Sequence, residues 1–223
     1  MSDIKLLQRL RALDSCALSD AMDQLDLPPA VSGLLPITVK RRIAGRVITV
    51  KLAEGVPPAD AKPRHLCTAA IEAAEPGGVV VVEQRTGVNA AGWGGILSNA
   101  AKVRGLSGVI IDGPARDVDE AADLDFPVYA RSTTCRTARG RVYEIETGGE
   151  VRMGDLTVDT GDYVLADSSG AVFVKADDLT RVIEAAEAIA AREAAMTQAV
   201  RAGQPVSQVM GAKYEHMLTG KGK

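Results

Sequence analysis

Gly105-Leu-Ser-Gly-Val-Ile-Ile-Asp-Gly-Pro-Ala-Arg-Asp117 sets a short apolar run, Gly108–Ile111, between a glycine-led turn and a polar segment. Apolar residues that do not alternate with polar ones suit a strand buried on both faces. A second such run, Val79–Val82, follows the breaker Pro76-Gly77-Gly78. Between the two lie a loop, Gln84–Gly92, and helical spacing from about Gly95 to Arg104. Strand, helix, strand predicts a βαβ unit with parallel strands. Asp112–Asp117 reads as a polar turn leaving the second strand, and Pro127–Ala130 as a further strand.

Upstream, Leu6, Leu7, Leu10 and Leu13 fall at helical spacing. A second short helix is expected to begin near Ser19, whose hydroxyl can cap the amide of Ala21 or Met22. The proline-rich stretch Leu25–Ile37 reads as a loop, Arg42–Ala53 as a β-branched strand, and Arg64–Glu75 as an apolar-faced helix. Downstream, Arg141–Thr147, Leu156–Val158 and Tyr163–Ala166 are short strands separated by glycine turns, the rhythm of antiparallel or mixed pairing. Asp177 can cap a long amphipathic helix over 177–203, with Leu179, Val182, Ile183, Ala186, Ile189 and Ala190 on one face. At 1.5 Å per residue it runs roughly 40 Å, more than one core needs, so its far end is expected to rest on a neighbouring subunit.

The 223 residues suffice for one α/β domain over 1–223, with no repeat or linker that forces a second. Acidic and basic residues are interspersed and the net charge is −3, so no field favours nucleic acid or an anionic membrane. Cys16, Cys67 and Cys135 lack metal-ligand spacing and read as reduced thiols. The amino-terminal segment interleaves charge with leucine, unlike a signal peptide, and no run approaches the ~20 apolar residues of a membrane helix. A cytoplasmic protein is the expectation.

Ligands of parallel sheets gather outside the carboxyl ends of adjacent strands. Two loops qualify: Asn89–Leu97, which contains Gly92, Gly94 and Gly95, and Asp112–Asp117. Bare glycine backbone opening a helix can cradle a carboxylate, although glycines there also serve as plain turns. Arg116 can clamp a carboxylate and Asp117 can hold Mg²⁺, or the pair can be a surface ion pair with Asp117 capping the next helix. Asp112 is open to the same two readings, with the following Gly113-Pro114 favouring turn chemistry. His65, His216, Trp93 and Cys135 are weaker candidates; Asp155, Asp159, Asp162 and Asp167 stand at turns and read as structural.

These loops, with Leu18–Asp23 (LSDAMD), Ile43–Lys51 (IAGRVITVK), Pro76–Glu83 (PGGVVVVE) and Gly161–Val174 (GDYVLADSSGAVFV), resemble one family over nearly the whole chain. It joins class II 4-hydroxy-4-methyl-2-oxoglutarate aldolases with the regulator of ribonuclease activity A. The DG-x-x-RD element is the most specific of the shared motifs. The resemblance implies a three-layer β/β/α, swivelling-domain-like fold with mixed sheets, assembled as a homotrimer or homohexamer. It places carboxylate-binding backbone at Gly94, Gly95, Ile96 and Leu97, a substrate-binding arginine at Arg116 and a divalent-metal ligand at Asp117. One departure stands out: the aldolases usually carry Glu where this chain has Gly95.

The activity so implied is a Mg²⁺- or Mn²⁺-dependent lyase acting on a small 2-oxo acid. It would cleave a 4-hydroxy-2-oxo acid to pyruvate, decarboxylate oxaloacetate, or do both, since each reaction leaves a pyruvate enolate whose oxygen a metal and an arginine stabilise. Retro-aldol cleavage also needs a base, for which metal-bound water or an adjacent-subunit side chain is the expectation. Schiff-base chemistry lacks a suitably placed lysine, Lys102 falling well inside a helix. The alternative is a non-catalytic, protein-binding trimer of the ribonuclease-regulator type.

Overall fold

The computed structural model describes residues 3–60 and 64–211. His216 lies outside them. Helices α1 (Asp3–Ala12) and α2 (Ser15–Gln24) open the chain. Helix α2 begins earlier than expected: Asp14, not Ser19, is the cap, its carboxylate accepting from the Ala17 amide at 2.9 Å. Carboxylates suit this position because the first-turn amides have no intrahelical acceptor and carry the positive end of the dipole.

The expected βαβ unit is present. Strand β3 (Val79–Glu83) pairs in parallel with β4 (Gly108–Ala115), with α4 (Gly95–Val103) between them in sequence. Val80 and Val82 face a core shared with the helices, whereas Val79 and Val81 face a second core between strand layers. Each buried valine contributes about 1.5–3 kcal/mol, so the unbroken run is stabilised from both sides. The segment expected to turn after Ile111 instead continues the strand through Ala115, with a register shift between Ile111 and Pro114. Proline has no amide to donate to a ladder, and the irregularity accommodates it.

Strands β1 (Leu35–Pro36), β2 (Ile43–Glu54), β5 (Val128–Thr133), β6 (Val142–Thr147), β9 (Tyr163–Asp167) and β10 (Gly170–Val174) join β3 and β4 in one mixed sheet, ordered β1-β5-β4-β3-β2-β9-β10, with β6 on β2. The hairpin of β7 (Val151–Met153) and β8 (Leu156–Val158) packs into the interior. Val31 and Ala171 exchange backbone hydrogen bonds of 2.8 and 3.1 Å, which carries the far edge β10 back to the chain just before β1 and nearly closes the sheet.

Short helices α3 (Thr68–Ala73) and α5 (Val118–Asp123) lie with α4 on one face, completing the β/β/α layers. Helix α3 covers only part of the expected 64–75, because Arg64–Cys67 is a loop and Ala74 is already extended. On the other side α1, α2 and α6 (Leu179–Arg201) pack on β9 and β10. Asp177 lies in a single 3-10 turn, Ala176–Asp178, and no side chain caps α6. The buried residues of α6, Leu179 to Ile189, all belong to its first half. No helix among the described residues is long and apolar enough to cross a membrane, and all three cysteines are free.

Candidate active site

Because β3 and β4 are parallel neighbours, the loops leaving their carboxyl ends run side by side. Beyond β3 the backbone keeps pairing: the Gly92 amide donates to Pro114 O at 2.9 Å, and the Arg116 amide to Trp93 O at 3.0 Å. Buried Gln84 braces the loop by donating to the carbonyls of Val88 (3.1 Å) and Ala90 (2.7 Å). The buried Trp93 indole donates to Ser98 Oγ at 2.9 Å, locking the loop to the second turn of α4. The amino terminus of α4 is thereby set against Arg116 and Asp117.

Those two residues and Gly94, Gly95, Ile96 and Leu97 line one cavity of about 300 Å³, together with His65, Trp93 and Glu120. The residues that the resemblance placed at the site are thus brought together, whereas Asp112 and Cys135 do not line this cavity. Gly94 is the helix cap, and Gly95, Ile96 and Leu97 form the first turn of α4. The Gly95 amide is already used, donating to Asp117 Oδ2 at 2.8 Å. Ile96 and Leu97 retain amides with no intrahelical acceptor, the part of the cradle that can receive an anion. Arg116 Nε stands 3.4 Å from the same Asp117 oxygen, each side chain being more than a third exposed, so the pair is screened and open to ligand.

Asp117 sits at φ 56°, ψ 42°, in the left-handed region, immediately before α5. Such backbone costs an L-residue roughly 1–2 kcal/mol, which aspartate tolerates better than most. Its side chain does not cap α5, which removes one of the readings open from sequence. It points across to α4 instead, with Oδ1 carrying no hydrogen bond or ion pair among the described residues.

His65 and Glu120 enter the site from elements whose approach had no sequence signal strong enough to select them. The His65 loop is held by buried Glu144 of β6, which accepts from the Cys67 amide at 2.6 Å and pairs with Arg64. Cys67 is itself left-handed at φ 65°, and its thiol is pushed up by burial and by Glu144. Glu120 lies in the first turn of α5, and its approach to α4 depends on how the two helices are set against each other. Asp112 has a different job: buried, it accepts from Arg131 Nε (2.7 Å) and the Gly154 amide (2.6 Å), tying β4 to β5 and the β7–β8 turn. The series Asp159, Asp162 and Asp167 bonds to local amides and Lys175, as structural residues do.

A divalent cation fits this donor set. No group of three His, Cys, Asp or Glu residues able to cage an ion occurs among the described residues. A hard cation held by one or two carboxylates, with substrate and water completing its shell, needs no such cage. An anionic substrate beside both Asp117 and Glu120 would otherwise face a surplus of negative charge that Arg116 alone does not offset.

Fold and site together define a mixed-sheet α/β protein with an arginine–aspartate crevice at the carboxyl ends of its parallel strands. The chain belongs to the RraA-like family: the Aldolase/RraA family model matches residues 15–173. Among curated relatives, the chain is 25% identical over 204 residues to a Halalkalibacterium halodurans protein named "Putative 4-hydroxy-4-methyl-2-oxoglutarate aldolase", covering 89% of this chain and 90% of that one. It is 24% identical over 205 residues to the Legionella pneumophila protein DlpA, covering 91% of this chain but spanning only 33% of DlpA. Among solved structures, an uncharacterized Pseudomonas syringae protein superposes with TM-score 0.83 at 24% identity, over 93% of this chain and 98% of that one. Streptomyces coelicolor RraAS2, described as an unusual member of the RNase ES inhibitor RraA family, gives 0.75 at 22%, over 86% and 95%.

Proposed function

We propose that this protein is a divalent-metal-dependent carbon–carbon lyase acting on small 2-oxo acids. It releases pyruvate by retro-aldol cleavage of a 4-hydroxy-2-oxo acid of the 4-hydroxy-4-methyl-2-oxoglutarate type, by decarboxylation of oxaloacetate, or by both. The observation that carries the reading is the convergence of the α4 amino terminus, Arg116 and Asp117 in one cavity.

In this reading the Arg116 fork and the Ile96 and Leu97 amides bind the substrate's pyruvyl carboxylate. Asp117 would hold Mg²⁺ or Mn²⁺, and the cation, when bound, would supply Lewis-acid polarisation of a 2-oxo group. Buried Trp93 and Ala91 line the same cavity. Arg116 is aimed at charge that grows as the C3–C4 bond breaks, so its contribution is greater in the transition state than in the bound substrate. The proton of a C4 hydroxyl passes to water or to a group from a neighbouring subunit.

The test is pyruvate release from 4-hydroxy-4-methyl-2-oxoglutarate and oxaloacetate in parallel. Metal-dependent release from either supports the lyase and identifies the bond it breaks. No release from either at any metal concentration would contradict it and favour a protein-binding regulator with an idle crevice.

A further inference from the structure

The amino ends of the parallel strands, opposite the crevice, frame a second cavity of about 310 Å³. Its floor is apolar: Ile43 begins β2, Leu106 precedes β4 and Phe126 precedes β5, and all three are buried. Four cations line it against one carboxylate, Asp125: Arg11 from the last turn of α1, Arg41 and Arg42 ahead of β2, and Lys102 from the last turn of α4. Most of their hydrogen bonds go to neutral carbonyls. Arg11 donates to Ala44 O (3.3 Å) and Gly77 O (3.4 Å), Arg42 to Leu13 O, and Lys102 to Asp125 O at 3.0 Å. Ion pairing is thinner. Arg41 engages the Asp125 carboxylate, from which Lys102 Nζ stands 3.9 Å away, and Arg42 is 3.8 Å from Asp167. Four cations thus face two carboxylates, and the carbonyls satisfy donors without cancelling charge.

We propose that this cavity is a second ligand site, taking a small oxyanion of two or more negative charges, a phosphate ester or a di- or tricarboxylate. The inference is independent of the lyase reading. A concave site lined by one sign of charge over a low-dielectric floor concentrates its field, and a multivalent anion gains most from it. Three of the four cations are arginines, whose forks present paired donors that match carboxylate and phosphate oxygens. The volume lies at the small end of ligand clefts and fits a metabolite-sized anion rather than a macromolecule. The positive field already acts on Asp125: the Arg41 hydrogen bond, with the charges of Arg41 and Lys102, holds its carboxyl below the ordinary value. Strand β4 separates the cavity from Arg116, and its eight residues span roughly 25 Å, so ligands in the two places do not touch.

The experiment is titration calorimetry of the full chain with pyrophosphate and with citrate, no divalent cation added and ionic strength matched with chloride, beside thermal melts of each unliganded protein. Saturable binding of at least one probe is expected, and the tighter of the two tells whether phosphoryl or carboxylate chemistry is preferred. Lys102→Gln and Arg11→Gln each remove one charge and should weaken that binding about tenfold, with little change in the unliganded melting temperature. Asp125→Asn removes the competing carboxylate, and asparagine tolerates the left-handed backbone at φ 52°, so this variant should bind the anion more tightly than the wild type. A carboxylate with only a structural role would not move the affinity in that direction. Arg116→Ala should bind as the wild type does. Absence of saturable binding of both probes would overturn the proposal. Binding lost in Arg116→Ala but kept in Lys102→Gln would overturn it too, by putting the anion in the crevice, and neither result would touch the lyase reading.

Discussion

Asp117 is held in its left-handed backbone by contacts on the α4 side, and these make Gly94 as consequential as the charged residues. A Cβ at Gly94 would stand 2.8 Å from Asp117 Oδ2 and 3.3 Å from Arg116 Nε, with no room for all three. Gly94→Ala is therefore expected to push both side chains from their places. Metal-dependent turnover should fall at least about tenfold, as misplaced catalytic groups do, while the melting temperature changes little because only exposed side chains must yield. Steady-state kinetics beside a thermal melt checks this, and unaltered turnover would show that Asp117 is not held where the site needs it. Arg116, Asp117 and the glycine cluster were legible because DG-x-x-RD after a buried strand is a compact pattern. Glu120 was not, and His65 stood only as a weaker candidate, because their place in the cavity depends on distances between segments that no local pattern records.

At the scale of elements, the sequence revealed most clearly what depends on burial. Val79–Val82 and Gly108–Ile111 announced strands enclosed on both faces, and β2 and α4 lie within one or two residues of expectation. Element ends were less legible, since they turn on single hydrogen bonds. Ser19 looked like a cap, yet Asp14 and the Ser15–Asp167 pair determine where α2 begins. Asp167 accepts from the Ser15 hydroxyl (2.6 Å) and amide (2.9 Å), tying α2 to the end of β9. Burial pushes the Asp167 carboxyl up, but Ser15, the Ser169 amide and Arg42 outweigh it and hold it below its ordinary value of 3.8. A depressed carboxyl contributes stability that is present above its unfolded value and is lost as pH falls through the lower, folded one. Asp167→Asn should thus cost about 1–2 kcal/mol at neutral pH, and the gap to wild type should narrow as pH drops below about 4. Urea melts across pH test this, and a pH-independent gap would refute it.

For the whole molecule, the buried residues of α6 all lie in its first half, so among the described residues its second half is not packed into the core. Ile96 and Val103, spaced seven residues apart on α4, are 85% and 87% exposed. We propose that these exposed apolar residues are covered by assembly into a homotrimer or homohexamer. Sedimentation equilibrium should give three or six times the 23.3 kDa chain mass; a monomer at micromolar concentration would contradict this. The near closure of the sheet through Val31 and Ala171 was invisible from the sequence, because the proline-rich Leu25–Ile37 stretch read as a loop, yet it supplies both this bridge and the two-residue strand β1.

The most direct test of the account is pyruvate release by chelator-stripped wild-type, Arg116→Ala and Asp117→Ala proteins, each with and without added Mg²⁺ or Mn²⁺. The account predicts release by the wild type only when metal is restored, and loss of at least about a hundredfold in both variants. Release that persists without metal, or that survives Asp117→Ala, would contradict it.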